Sequence, residues 1–179
     1  MDPSPTLPTE EELAALPYFA ILALGARCAK QVGPVFGSWE GATQDHVRAV
    51  SRAARDVAEL AASPSMVSRA PLWGPARQST RGAAEAASAA DMAEAPHEVL
   101  CAADAAAELA GAIDLDGERA PAARAVSRTV RASVGALVDA DGSQQREFLE
   151  WLSRHVTHLR ECAVAERWTN ETPVTIGDR

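Results

Sequence analysis

The chain has 179 residues and a formal net charge of −8, a length that predicts one domain with a buried core. A pI near 5.0 argues against a diffuse nucleic-acid binder, because phosphate contacts need Lys and Arg in excess. Apolar residues make up 47% but aromatic residues only 4%; much of the remainder is Ala, the best helix former and small enough to let helices approach closely, so close-packed helices are expected.

Residues 1–8 hold three prolines and read as a flexible arm. Thr9 and Glu12 have the spacing of a capping box, and Glu10, Glu11 and Glu12 suit the positive end of a short helix reaching about Leu16. Pro17 fits the first turn of a second helix over 17–36. Its large apolar residues, from Tyr18 through Phe36, cover most of the circumference, which places it at the centre of a bundle. Gly25, Ala26, Ala29 and Gly33 should allow close approach, and Pro34 should loosen the last turn. No basic leader precedes the first apolar stretch, and the run from Pro17 to Leu24 is too short to span a membrane.

Thr43 is a candidate cap for a third helix over 43–62. Val47, Val50, Ala54, Val57, Ala58 and Ala61 recur on one side of it, and Arg48, Arg52, Arg55, Asp56 and Glu59 on the other. Residues 63–76 carry Pro64, Pro71, Gly74 and Pro75 and read as the longest irregular stretch. Its apolar side chains, Met66, Val67, Leu72 and Trp73, would need cover from the bundle or from a partner. Ala-rich residues 78–95 follow, and Pro96 restarts a helix that takes in Val99, Leu100, Cys101, Leu109 and Ile113. Helices over 119–140 and 144–167 are expected next. Val126, Val130, Val134, Leu137 and Val138 face inward on the first, and Phe148, Leu152, Val156, Leu159 and Ala163 on the second. Residues 168–179 read as an irregular tail. No segment shows strand alternation. The predicted fold is all-α, a compact bundle of six to seven helices with an Ala-rich core spanning residues 9–167.

His155, His158 and Cys162 form the best metal candidate, because i, i+3 and i+7 positions on one helix can converge on an ion. His155 and Cys162 also fall near that helix's apolar stripe, where packing explains them. A fourth ligand would have to come from His46 or His97. Asp139-Ala140-Asp141-Gly142-Ser143 with Glu147 and Glu150 partly matches a calcium loop, but Gln144 stands where the loop needs Gly. A capped helix–turn–helix link explains it without an ion. Cys28 beside Arg27 could have a lowered thiol pKa, although a buried cysteine is ordinarily an inert small hydrophobe. Glu94-x-x-His97 has the spacing of a di-iron ligand pair but contains Pro96. No phosphate-binding glycine loop, nucleophile elbow or Cys-x-x-Cys pair is present. No catalytic residue and no cofactor is therefore predicted. Three widely spaced cysteines cannot all pair, so free thiols in a reducing cytoplasm are expected.

Two end segments carry a resemblance. The first runs from Leu16-Pro17 through Ala26-Arg27-Cys28-Ala29-Lys30-Gln31-Val32-Gly33-Pro34-Val35-Phe36 to Trp39. The second is Ala165-Glu166-Arg167-Trp168-Thr169-Asn170-Glu171-Thr172-Pro173-Val174. They resemble the opening and close of a family of uncharacterised bacterial all-helical proteins. The opening is also similar to that of the helical immunity proteins of polymorphic toxin systems. Val35 stands where those proteins usually have Leu. The resemblance covers about a fifth of the chain and implies no catalytic residues. It implies a protein that neutralises or regulates a protein partner by binding it. Trp168 and Pro173 are expected to pin the tail over the helix ends, with Arg27 or Lys30 pairing with its acids.

The functional expectation is thus a non-enzymatic, cytoplasmic protein-binding protein of immunity or defence type. The alternatives are an accessory subunit of a larger bacterial assembly, docking through residues 63–76, and a metal- or ligand-binding helical enzyme. The partner-binding candidates are Met66, Leu72 and Trp73 in that stretch, and Arg48, Arg52 and Arg55 on the third helix. Trp73 is the sharpest of them. If it is a hot spot, its truncation should weaken binding by more than about 1 kcal/mol and leave stability nearly unchanged. If it tucks into the core, stability should fall and the arginine face becomes the candidate.

Overall fold

In a computed structural model, residues 6–63, 65–113, 118–137 and 142–176 are described, with the side chain of Met66 outside that set. Among the described residues there are seven α-helices and no strand, so the chain is an all-α bundle. The helices are α1 (Glu10–Ala14), α2 (Tyr18–Gly37), α3 (Gln44–Ala62), α4 (Met66–Met92), α5 (His97–Ala107), α6 (Arg119–Ala136) and α7 (Ser143–Ala165). A 3-10 turn over Glu108–Ala112 extends α5.

Local chemistry sets several of the helix starts. Thr9 accepts from the Glu12 amide at 3.1 Å, and Glu12 Oε2 accepts from the Thr9 amide at 2.8 Å. The Thr9 amide also holds the Glu12 carboxyl below its ordinary pKa, against a smaller opposing effect of burial. Thr43 caps α3 through the His46 amide. Gly142 leads into α7 with φ +69°, a conformation that favours glycine.

Every residue of α2 from Tyr18 to Ala26 is buried. It packs against α3, α5 and α6; α4 closes the ring between α3 and α5, and α1 lies on α6. Arg160 of α7 reaches back to α1, donating to the Glu12 carbonyl at 2.9 Å. Helix α7 buries Phe148, Trp151, Leu152, Val156 and Leu159, while Ala163 is half-buried. Helix α6 ends at Ala136, short of the expected 140; Val134 and Leu137 are half-buried against the core, and Val138 lies outside the described residues.

The two glycines expected to permit close packing in α2 behave differently. A Cβ on Gly25 would lie 2.7 Å from Val126 Cγ2 and 3.0 Å from Leu109 Cδ2, whereas one on Gly33 would meet nothing within 4 Å. Gly25→Ala is therefore expected to cost about 1–3 kcal/mol by overpacking. Gly33→Ala should instead stabilise α2 by up to about 1 kcal/mol through helix propensity. Denaturant midpoints of the two variants, moving in opposite directions, check this.

Residues 66–76, expected to be irregular, form the first three turns of α4. Ser65 and Ser68 build a capping box, each side chain accepting from the other's backbone amide. Pro71, Gly74 and Pro75 all lie on the exposed side. The carbonyls that the prolines leave without amide partners therefore face water, which lowers the cost of proline within a helix. On the opposite side Arg69, Trp73, Ala76, Thr80, Ala83, Ala87 and Ala90 form one buried stripe. Trp73 is 7% exposed and belongs to the core. Leu72 is half-buried against that core, while Val67 is 85% exposed.

The tail closes over the bundle. Arg69, fully buried, stacks over the Phe19 ring at 3.5 Å and donates to the Glu171 carbonyl at 2.7 Å. The Asn170 side chain accepts from the Tyr18 amide at 3.3 Å, and the Val174 amide donates to the Ala61 carbonyl at 2.9 Å. Val174 itself is buried. Trp168 is half-buried against the core but Pro173 is exposed, so Val174 and Arg69 hold the tail where Pro173 was expected to.

Candidate functional site: a basic-rimmed groove between α2 and α3

Helices α2 and α3 are joined by the short turn 38–43 and run antiparallel. Their facing surfaces are built from small residues: Ala23, Ala26, Ala29 and Gly33 on α2, Ala54 and Ala58 on α3. Small side chains leave a trough where larger ones would interlock. Its volume is about 890 Å³, and Val174, Thr175 and Ile176 of the tail line it as well. The two segments that carry the sequence resemblance thus meet here, although they are far apart in the chain.

Basic side chains border the trough from both helices: Arg27 and Lys30 from α2, and Arg48, Arg52 and Arg55 from α3. The arginine row expected on α3 is exposed, as its spacing requires, whereas Ala58, expected inward, is exposed at the edge of the trough and Asp56, expected outward, is half-buried. Arg48 pairs with Asp45 at 3.2 Å, and Arg55 with Asp56 at 3.3 Å and Glu59 at 3.8 Å. These pairs are mostly solvent-exposed and hold the side chains only weakly. Arg52 makes no hydrogen bond or ion pair with the described residues. In a chain of net charge −8, the residues that line this groove include five basic side chains and no Asp or Glu. Sequence periodicity exposes the arginine row but not its counterpart on α2, because Arg27 and Lys30 join it only through the packing of α2 on α3. A smaller cleft of about 500 Å³ beside Phe148 and Trp151 carries both signs of charge, from Glu147, Glu150 and Arg154.

The other candidates are not brought together. His155 donates from Nδ1 to the Trp151 carbonyl at 2.8 Å and leans on the Trp151 ring at 4.3 Å. His158 lies 3.6 Å from Cys162 Sγ through Nε2, so this part of α7 offers two ligands and not three. His97 is engaged on α5 with Cys101, at 3.4 Å, and His46 sits in the first turn of α3. Among the described residues no group of three or more His, Cys, Asp or Glu side chains is placed to hold a metal ion. Asp139 and Asp141 of the calcium-like stretch lie outside the described residues, and Gln144, Glu147 and Glu150 are on α7. Of the partner-binding candidates in residues 63–76, Trp73 faces the core and Leu72 packs beside it. Met66 opens α4, its side chain outside the described set. Among the described residues of this stretch, 66–76 are helical, where a docking loop was expected.

Cys28 is fully buried on α2, and burial pushes its thiol up to about 12, outweighing the opposing pull of Arg27. Burial also raises the Cys101 thiol, helped by Asp104 and Glu98. Neither is an activated nucleophile. Cys28 is expected to resist a thiol reagent at pH 8 until the protein unfolds. Its thiol stays protonated in the fold while the unfolded thiol ionises, so stability present below pH 9 should decline between pH 9 and about 12. Thiol counts in native and denatured protein, with melts of Cys28→Ala across that window, check both.

No protein-family model, no curated protein and no solved structure matches the chain. No helix among the described residues is long and apolar enough to cross a membrane.

Proposed function

We propose that this chain is a non-enzymatic protein-binding module, of the immunity or defence-associated kind that its end segments resemble, and that it engages its partner through the α2–α3 groove. The observation that carries the reading is the groove itself. An apolar trough of small side chains is bordered by basic groups from two helices, on a protein whose net charge is strongly negative. Apolar floors with a polar rim are the usual anatomy of a protein interface, and arginine is enriched there. His97, His155 and His158, by contrast, are engaged on their own helices and Cys28 is buried, which gives catalysis no comparable support.

The test is binding to the products of the genes adjacent to this one, measured by calorimetry on purified full-length proteins. A stoichiometric complex that weakens with salt is the expected result, and relief of a neighbour's toxicity on co-expression would specify the immunity role. Absence of a complex with either neighbour would reject the reading.

A further inference from the structure

The tail shows what kind of chain the groove accepts. Residues 174–176 are not helical, and they enter the groove at its Ala58 end. There the Val174 amide is held by the Ala61 carbonyl, with Val174 buried and Ile176 half-buried against the core. A non-helical segment with alternate apolar side chains turned inward therefore already lines one end. From Ala23 to Gly37 the α2 wall is roughly 20 Å long at the helical rise of 1.5 Å per residue. About six extended residues cover that length. A helix, about 10–12 Å across with its side chains, would ride on the basic rims without reaching an alanine floor between two directly packed helices.

The charge of the occupant follows from the rims. Arg52 is exposed and makes no ion pair with the described residues. Arg48 is held by the exposed Asp45, which a competing carboxylate can replace at little cost, and Arg55 by the half-buried Asp56 and the exposed Glu59. A guanidinium offers a planar fork that matches a carboxylate. Resting on the protein-binding reading above, we infer that the groove takes an extended segment of the partner protein in which acidic and apolar residues alternate. The apolar side chains fill the alanine trough and the carboxylates face the arginines of α3.

The test uses the full chain and a fluorescein-labelled octapeptide alternating Asp with Val or Leu, read by fluorescence polarisation. The matched peptide with Lys in place of Asp and a single-stranded DNA octamer serve as controls. Arg52→Glu reverses a rim charge and should not move the melting temperature appreciably; Ala58→Trp fills the trough from an exposed position, with amide exchange at Val174 checking that the tail stays seated. The acidic peptide is expected to bind, to weaken as salt rises, and to lose at least tenfold in affinity with either variant. No binding, equal binding of the Lys peptide, equal binding of the DNA, or affinity unchanged in both variants would overturn the inference. So would binding seen only when the chain is shortened to Ile176, which would assign the groove to this chain's own last residues. A natural complex that forms and survives both substitutions would refute the groove assignment while leaving the protein-binding reading intact; no complex at all would refute that reading.

Discussion

Arg69→Ala is expected to remove about 2–5 kcal/mol of stability, the range for emptying a large buried position, the lost hydrogen bond from a charged donor included. The side chain is fully buried on α4, stacked on Phe19 and donating to the Glu171 carbonyl. Its guanidinium pKa is pulled down by burial, with Glu171 acting in the opposite direction, so the site is one where a charge is held away from water. Truncation opens space against Phe19 and removes the donor that fixes the tail carbonyl. Arg69→Lys should recover little, since an ammonium can neither stack flat on the ring nor reproduce the planar fork. Arg69→Met should recover packing without the tether. Chemical denaturation gives the stabilities. Amide exchange at Val174 separates the two effects: it should accelerate in Arg69→Met even where global stability is largely regained.

Trp73→Ala should be comparably costly, about 3–5 kcal/mol, because it empties a large core position. This is the opposite of the outcome expected for a binding hot spot in a loop, namely weakened binding at unchanged stability. With a typical total stability of about 5–15 kcal/mol, the variant should melt well below the parent. A melting temperature within a degree or two of the parent would return Trp73 to the surface and α4 to a loop.

Why α4 escapes a sequence reading is visible in its residues. Pro64, Pro71, Gly74 and Pro75 each favour a break, and four breakers within twelve residues outweigh local helix propensity. The countervailing signal is the spacing of Arg69, Trp73, Ala76, Thr80, Ala83, Ala87 and Ala90, alternating steps of four and three that run unbroken through the prolines. That stripe is hard to recognise because it begins with an arginine, includes a threonine and otherwise relies on alanine, which helices place on either face. Thr80 satisfies its buried hydroxyl by donating to the Ala76 carbonyl. By contrast α2, α3 and α7 were legible because large apolar residues mark their buried faces, and the Thr9 and Thr43 caps because each acts within three residues of itself.

The site divides along the same line. The spacing of Arg48, Arg52 and Arg55 is enough to place them on one exposed helical face. Their relation to Arg27, Lys30 and Val174 depends on how α2, α3 and the tail pack, which no local pattern records. The tail's anchoring by Arg69 and Asn170 is equally non-local, linking positions more than a hundred residues apart.

If the groove binds a partner as proposed, reversing a charge on its rim must weaken the complex. The decisive measurement is calorimetric titration of the adjacent gene's product into the parent chain and into Arg52→Glu, with melting temperatures recorded alongside. Arg52 is exposed and makes no ion pair within the described fold, so its reversal should leave stability within about 0.5 kcal/mol. Binding should weaken at least tenfold, with a shallower dependence on salt. A complex of unchanged affinity, on a protein that melts as the parent does, would contradict the assignment of the groove.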